Sequence, residues 1–211
     1  MIVSQKKLII FDMDGTLVDS SGVIAGAINH VRKNLMLPPM DKDKIIANIN
    51  NHSIDPLKYF YNLKKFDPMC EKWFSEFYSQ NHNTHLVIYE GIADILKFLR
   101  SQDIKLAVAT NAYRQSTLES LKHLGIYDFF DAIACYDDVG EGKPSPKMLE
   151  MILGEMRLDV AQSLFVGDGE RDAMAAQRAK MDYIMVEWGF SSHEDAVSSV
   201  QALQEKLVSI L

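Results

Sequence analysis

Cysteine is nearly absent from this chain. Only Cys70 and Cys135 occur, far apart, which excludes a disulfide framework and a C-x-x-C metal site and fits a reducing compartment, so a cytoplasmic location is expected. Long hydrophobic runs are missing too: no stretch approaches the roughly 18 apolar residues of a membrane span. The short apolar run within Met1–Leu17 carries acidic residues, so no signal peptide is expected. Nor is there an excess of positive charge. With 22 lysines and arginines against 29 aspartates and glutamates, the net charge of -7 argues against nucleic acid and against an acidic membrane surface as partners. A small anionic ligand would need local positive help. There is no internal repeat, low-complexity tract or disordered linker, and 47% hydrophobic residues over 211 positions suffice for one substantial core.

What is present is a repeated grammar. Lys7-Leu8-Ile9-Ile10-Phe11-Asp12 is an apolar run ending in a carboxylate and then Gly15, which reads as a buried parallel strand feeding a loop. Ile104–Thr110, Ala132–Tyr136 and Ser163–Asp168 follow the same plan, and Tyr183–Val186 offers a fifth strand. Helical spacing separates them, in Ile92/Ile95/Leu96/Leu99, Leu118/Leu121/Leu124 with Gly125 as a stop, Met148/Leu149/Ile152 and Ala173/Ala176/Ala179. This alternation predicts an α/β fold, a doubly wound parallel sheet of Rossmann-like form whose ligands bind beyond the carboxyl ends of the strands. Asp12, Thr110 and Asp168 then belong together. About 70 residues separate the first strand from the helix near Gly91, too many for a loop. Val23–Leu37, Lys42–Asn50 and Cys70–Tyr78 read as helices, so the expected division is a core of residues 1–16 and 88–211 with a small inserted helical cap at 17–87.

Four strand-end motifs carry chemistry. Asp12-Met13-Asp14-Gly15-Thr16 sets two carboxylates two residues apart, so that one can attack while the other handles protons. Alone, such a D-x-D-G is better read as a surface turn. A calcium loop fails, because its sixth and twelfth positions are Leu17 and Val23 instead of Gly and Glu. Thr110-Asn111 offers a hydroxyl, an amide and turning N–H groups to a phosphate oxygen, or is merely a turn. Gly142-Lys143-Pro144-Ser145-Pro146 holds one ammonium beside a stiffened turn; a P-loop is excluded by Asp137 and Pro144. In Gly167-Asp168-Gly169-Glu170-Arg171-Asp172 two carboxylates four residues apart suit Mg2+ and its waters, or an acidic helix start.

D-M-D-G-T, T-N, G-K-P-S-P and G-D-G-E-R-D, in this order, resemble the haloacid dehalogenase superfamily of hydrolases over nearly the whole chain. The resemblance implies Asp12 as nucleophile and Asp14 as general acid/base. It also implies phosphate binding by Thr110 and Lys143, with Asn111 beside them. Mg2+ would be the cofactor, held by Asp12, Asp168 and the Asp14 carbonyl with Asp172 in support. The inserted helices would close over the site. The second aspartate points to phosphate chemistry, since the dehalogenase branch lacks it. Leu17-Val18-Asp19-Ser20 and Glu187-Trp188-Gly189-Phe190 resemble the phosphoglycolate phosphatase-like group, whereas Tyr89-Glu90-Gly91, Gly169 and Ala179-Lys180 depart from the common pattern.

The expected function is thus a Mg2+-dependent phosphatase acting on a small phosphorylated metabolite, phosphoglycolate-like or a sugar phosphate, through an aspartyl-phosphate, as a monomer or homodimer. The alternatives are a phosphosugar mutase of the β-phosphoglucomutase type and a catalytically idle binding protein. Elsewhere the readings are plainer. His82 and His85 lack a third metal ligand and receive no role. Arg32-Lys33 and Lys64-Lys65 read as solvated helix faces, and His52 with Asn50 and Asn51 as a loop facing the substrate. The eleven methionines, with Phe60, Trp73, Phe74 and Phe77, are assigned to packing.

Overall fold

The computed structural model describes residues 5–49, 51, 53–190 and 194–211, those at 82–85 by backbone alone. Along the chain run β1 (Leu8–Phe11), β2 (Val18–Asp19), α1 (Ser21–Asn34), α2 (Lys42–Ile49), α3 (Pro56–Tyr61), α4 (Pro68–His85) and β3 (Val87–Ile88). There follow α5 (Ile92–Ser101), β4 (Lys105–Thr110), α6 (Arg114–His123), β5 (Ala132–Cys135), α7 (Tyr136–Val139), α8 (Lys147–Met156), β6 (Ser163–Gly167), α9 (Glu170–Ala179), β7 (Asp182–Met185) and α10 (Val200–Ile210).

Five parallel strands form one sheet in the order β5-β4-β1-β6-β7. This is the α/β, Rossmann-like arrangement expected from the sequence, and all five anticipated strands are present. Every residue of β1 is buried because the sheet is covered on both faces: Ile9 and Phe11 join one apolar cluster, Leu8 and Ile10 the other. That two-residue alternation continues in β4, where Leu106 and Val108 face the first cluster and Ala107 and Ala109 the second. The chain leaves β1 for β4 and β5 on one side and for β6 and β7 on the other, so the crevice beyond the carboxyl ends lies over β1.

Helices α1 to α4 lie between β2 and β3 in sequence and pack chiefly through α1 against α4. Gly26 is what allows the close approach: a Cβ there would stand 2.6 Å from the Phe77 ring. The short antiparallel pair β2–β3 brings the two ends of this helical segment together. Arg32 corrects an expectation. It is buried, not solvated, and its guanidinium donates to the Pro38 and Phe60 carbonyls at 2.9 and 2.5 Å, tying the turn after α1 to α3. Lys33, Lys64 and Lys65 are exposed as expected. The methionines divide, since Met13 and Met148 are core while Met36 is 91% exposed. His52, Asn50 and the side chains of His82 and His85 fall outside the described residues. Among the described residues no helix is long and apolar enough to cross a membrane.

Candidate active site

Asp12 follows β1 directly, and its N–H donates to the Val166 carbonyl at 2.8 Å, fixing the residue against β6. The chain then turns through Gly15, whose φ of 89° is open to glycine and whose missing Cβ would meet the Asp168 carboxylate at 2.6 Å. Asp168, just past β6, thereby lies against the loop that follows Asp12. Its Oδ2 accepts from the Phe190 N–H at 2.7 Å, and its Oδ1 lies 3.4 Å from the Thr16 hydroxyl. Asp172, in the first turn of α9, uses Oδ2 to accept from the Gly169 N–H at 2.9 Å. Gly167 makes room for it: a Cβ there would be 2.6 Å from the Cβ of Asp172.

Carboxylate oxygens of Asp12, Asp168 and Asp172 lie within 4.8 Å of one another, all three residues buried. Lys143 enters this cluster as its cation. Its Nζ donates to Asp12 Oδ1 and pairs with Asp172 Oδ1 at 2.7 Å, with the lysine only 5% exposed. Burial would strip the ammonium of its proton, but Asp12 and Asp172 outweigh burial and hold its pKa above the ordinary lysine value. The carboxylates move the other way. Burial drives Asp12 well above the ordinary range against the pull of Lys143, and burial with the charge of Asp172 pushes Asp168 up to about 7. One ammonium does not offset three carboxylates in a buried site, so without a further cation the acids there are pushed toward their protonated forms. A divalent cation is the partner such a set of hard oxygens fits.

Asp14 lies alongside. Its Oδ1 is buried with no hydrogen bond in place, and burial raises its pKa, although the Ser20 and Tyr78 hydroxyls and the charge of Lys143 temper the rise. Thr110 ends β4 with its Oγ1 accepting from the Ala112 N–H at 3.1 Å, which leaves its hydroxyl hydrogen to donate. Asn111 lines the same cavity as Thr110 and is engaged with the third motif. Its side chain clamps the main chain of Lys143, accepting from the Lys143 N–H at 2.7 Å and donating to the Lys143 carbonyl at 3.1 Å. Gly142 permits the clamp, for a Cβ there would meet Asn111 Oδ1 at 2.7 Å.

A cavity of about 240 Å³ opens over these groups, lined among others by Asp12, Asp14, Thr110, Lys143, Arg171 and Asp172. Arg171, Tyr78 and Phe74 line it too, none of them marked as a site residue by the motifs. Arg171 was visible inside the fourth motif, whereas Tyr78 and Phe74 come from α4 and carry no local signal. The late Trp188-Gly189-Phe190 segment also proves structural for the site. Trp188 donates from Nε1 to the Thr16 carbonyl at 3.2 Å, and a Cβ on Gly189 would lie 2.3 Å from the Gly15 carbonyl.

Known proteins resemble this chain in sequence and in fold. A phosphoglycolate phosphatase of Chromobacterium violaceum is 30% identical over 195 residues, covering 88% of this chain and 86% of that one. The pyrophosphatase PpaX of Bacillus pumilus is 27% identical over 190 residues, covering 88% and 85%. Among solved structures, that of a predicted phosphoglycolate phosphatase from Haemophilus somnus 129pt superposes with a TM-score of 0.79 at 26% identity, covering 94% of this chain and 91% of that one. The family model described as haloacid dehalogenase-like hydrolase matches residues 9–186, a span that holds Asp12, Lys143, Asp168 and Asp172, and the chain belongs to that family.

Proposed function

We propose that this chain is a Mg2+-dependent phosphatase of the haloacid dehalogenase-like family that hydrolyses a small phosphate monoester through an aspartyl-phosphate on Asp12. The observation that carries the reading is the buried cluster of Asp12, Asp168 and Asp172 closed by Lys143. Asp12 and Asp168, with the Asp14 carbonyl, would hold the ion, and Asp172 supports them through the same lysine. Bound there, Mg2+ supplies charge neutralisation that lets a carboxylate approach a phosphoryl group.

The protein's own groups divide the remaining work. A carboxylate oxygen of Asp12 attacks phosphorus as the ester P–O bond breaks, and protonated Asp14 gives its proton to the leaving alkoxide. The raised pKa of Asp14 favours the protonated form that this step needs. Asp14, now ionised, takes a proton from water, which attacks phosphorus; the bond to Asp12 breaks and inorganic phosphate leaves. Lys143 holds charge against the transferring group, and the Thr110 hydroxyl donates to one of its oxygens. Asn111 acts through Lys143 by fixing its main chain. Helices α1 to α4, with Phe74 and Tyr78 facing the cavity, act as the cap at 17–87 that excludes water from the core at 1–16 and 88–211.

The test is phosphate release from a panel of small phosphate esters with Mg2+ or with EDTA, alongside Asp12→Asn. Release that requires both the ion and Asp12 supports the reading. Sugar-phosphate isomers formed without free phosphate would replace it with a mutase, and silence from every ester would favour an idle binding protein.

A further inference from the structure

A second cavity of about 600 Å³ adjoins the catalytic one, and Phe74, Tyr78, Asn111 and Ala112 line both. It lies between α3–α4 and the start of α6, where the leaving group of a substrate held by Lys143 would project. Its walls are aromatic: Tyr61, Phe66, Phe74, Tyr78 and Tyr113 all face it. Its charges are all of one sign. Glu71, Glu76, Glu119 and Asp137 line it, and no lysine, arginine or histidine does so among the described residues. Nearby cations do not reverse that sign. Lys72 pairs with Glu76 at 3.8 Å on an exposed face, and the Arg114 guanidinium is bound to Asp138 at 2.6 and 2.8 Å. Glu71 is itself anchored, accepting from the Tyr113 hydroxyl across the gap between α4 and α6.

We infer that this chamber selects phosphate monoesters whose alcohol part is apolar and free of negative charge, and turns away substrates bearing a second anion, such as phosphoglycolate or pyrophosphate. The inference rests on the phosphatase reading above and departs from the substrates in the names of the related proteins. A phosphorylated acid would turn its carboxylate toward a lining whose charged groups are acidic and whose other walls are largely aromatic, with Lys143 and Arg171 both at the other end of the path. Like charges in a partly enclosed space repel more strongly than in bulk water, while apolar area placed against the rings is favourable.

The experiment compares kcat/KM for phenyl phosphate, phosphoglycolate and pyrophosphate in Mg2+ with the full chain. Phenyl phosphate is expected to lead both phosphoglycolate and pyrophosphate, which carry a second anionic group, by at least about tenfold. In Glu71→Gln and Glu119→Gln the ratio of phosphoglycolate to phenyl phosphate should rise about threefold, and less so in high salt. Phosphoglycolate or pyrophosphate ahead of phenyl phosphate would overturn the chamber inference and leave the phosphatase standing. No Mg2+-dependent turnover of any of the three would bring down both.

Discussion

Asp12, Lys143, Asp168 and Asp172 are separated by up to 160 positions in the chain yet share one buried point; the aspartates are legible because each follows an apolar run or opens a helix, and Lys143 because it sits in a proline-stiffened turn before one. Asp12→Asn keeps the shape of the side chain and removes its nucleophilic charge, so turnover should fall by at least about 10³-fold while the circular dichroism spectrum stays unchanged. Lys143→Met acts differently, because it leaves Asp12 and Asp172 buried without their cation. A loss of about 3–5 kcal/mol in urea unfolding without added metal is expected, beyond the loss of activity. Asp138 gives a pH signature outside the site. Burial tends to raise its pKa, but the two-pronged bond from Arg114 and the Cys135 N–H hold it below the ordinary 3.8. A carboxylate depressed in the folded state contributes stability above its unfolded pKa and loses it as pH falls through the folded one. Asp138→Asn should therefore cost about 1–2 kcal/mol at pH 7, with the difference from wild type starting to shrink only below about pH 4 and disappearing below the depressed folded value. Tyr78 and Phe74 are not legible, because nothing in their neighbours along α4 says that this face meets the cavity over Asp12.

At the level of elements, the five sheet strands were readable from their apolar runs, whereas β2 and β3, two residues each, have no pattern to detect. Helix α3 was missed although its start is written in Asp55-Pro56: Asp55 accepts from the Leu57 and Lys58 N–H groups at 3.0 and 3.3 Å, with proline at the first turn. The same holds for α10, where Ser199 accepts from the Ala202 N–H at 3.1 Å. In both, the cap is a stronger signal than the apolar periodicity. Gly26 shows the opposite case. A glycine inside a helix weakens it locally, and its value appears only when Phe77 arrives from α4. Gly26→Val should push the two helices apart or force the ring off its rotamer, costing about 1–3 kcal/mol in chemical denaturation. The larger effect should be on KM, because Phe74 and Tyr78 ride on the same helix and line the catalytic cavity.

For the molecule as a whole, the sequence announces a catalytic centre but not what reaches it. The centre is built from motifs at strand ends that the sheet brings together, while the chamber is assembled from α3, α4 and α6, whose facing residues share no local pattern. The same contrast separates the two expected responses to metal. Bringing three carboxylates and one ammonium together during folding leaves net negative charge buried, so the fold carries an electrostatic cost that a divalent cation removes. An ion bound only by the folded chain stabilises it by about 2.7 kcal/mol at a hundredfold excess over its Kd. For a chain of this size that corresponds to about 5–10 °C in Tm. Thermal unfolding in Mg2+ should therefore exceed that in EDTA by this amount, and Asp168→Asn should abolish most of the difference while raising the Tm in EDTA, since it removes one of the buried charges. Glu71→Gln and Glu119→Gln, in the chamber, should leave the metal-dependent shift intact. Equal Tm values in Mg2+ and EDTA for the wild type would mean that the acidic cluster is satisfied by Lys143 alone and does not take up the ion.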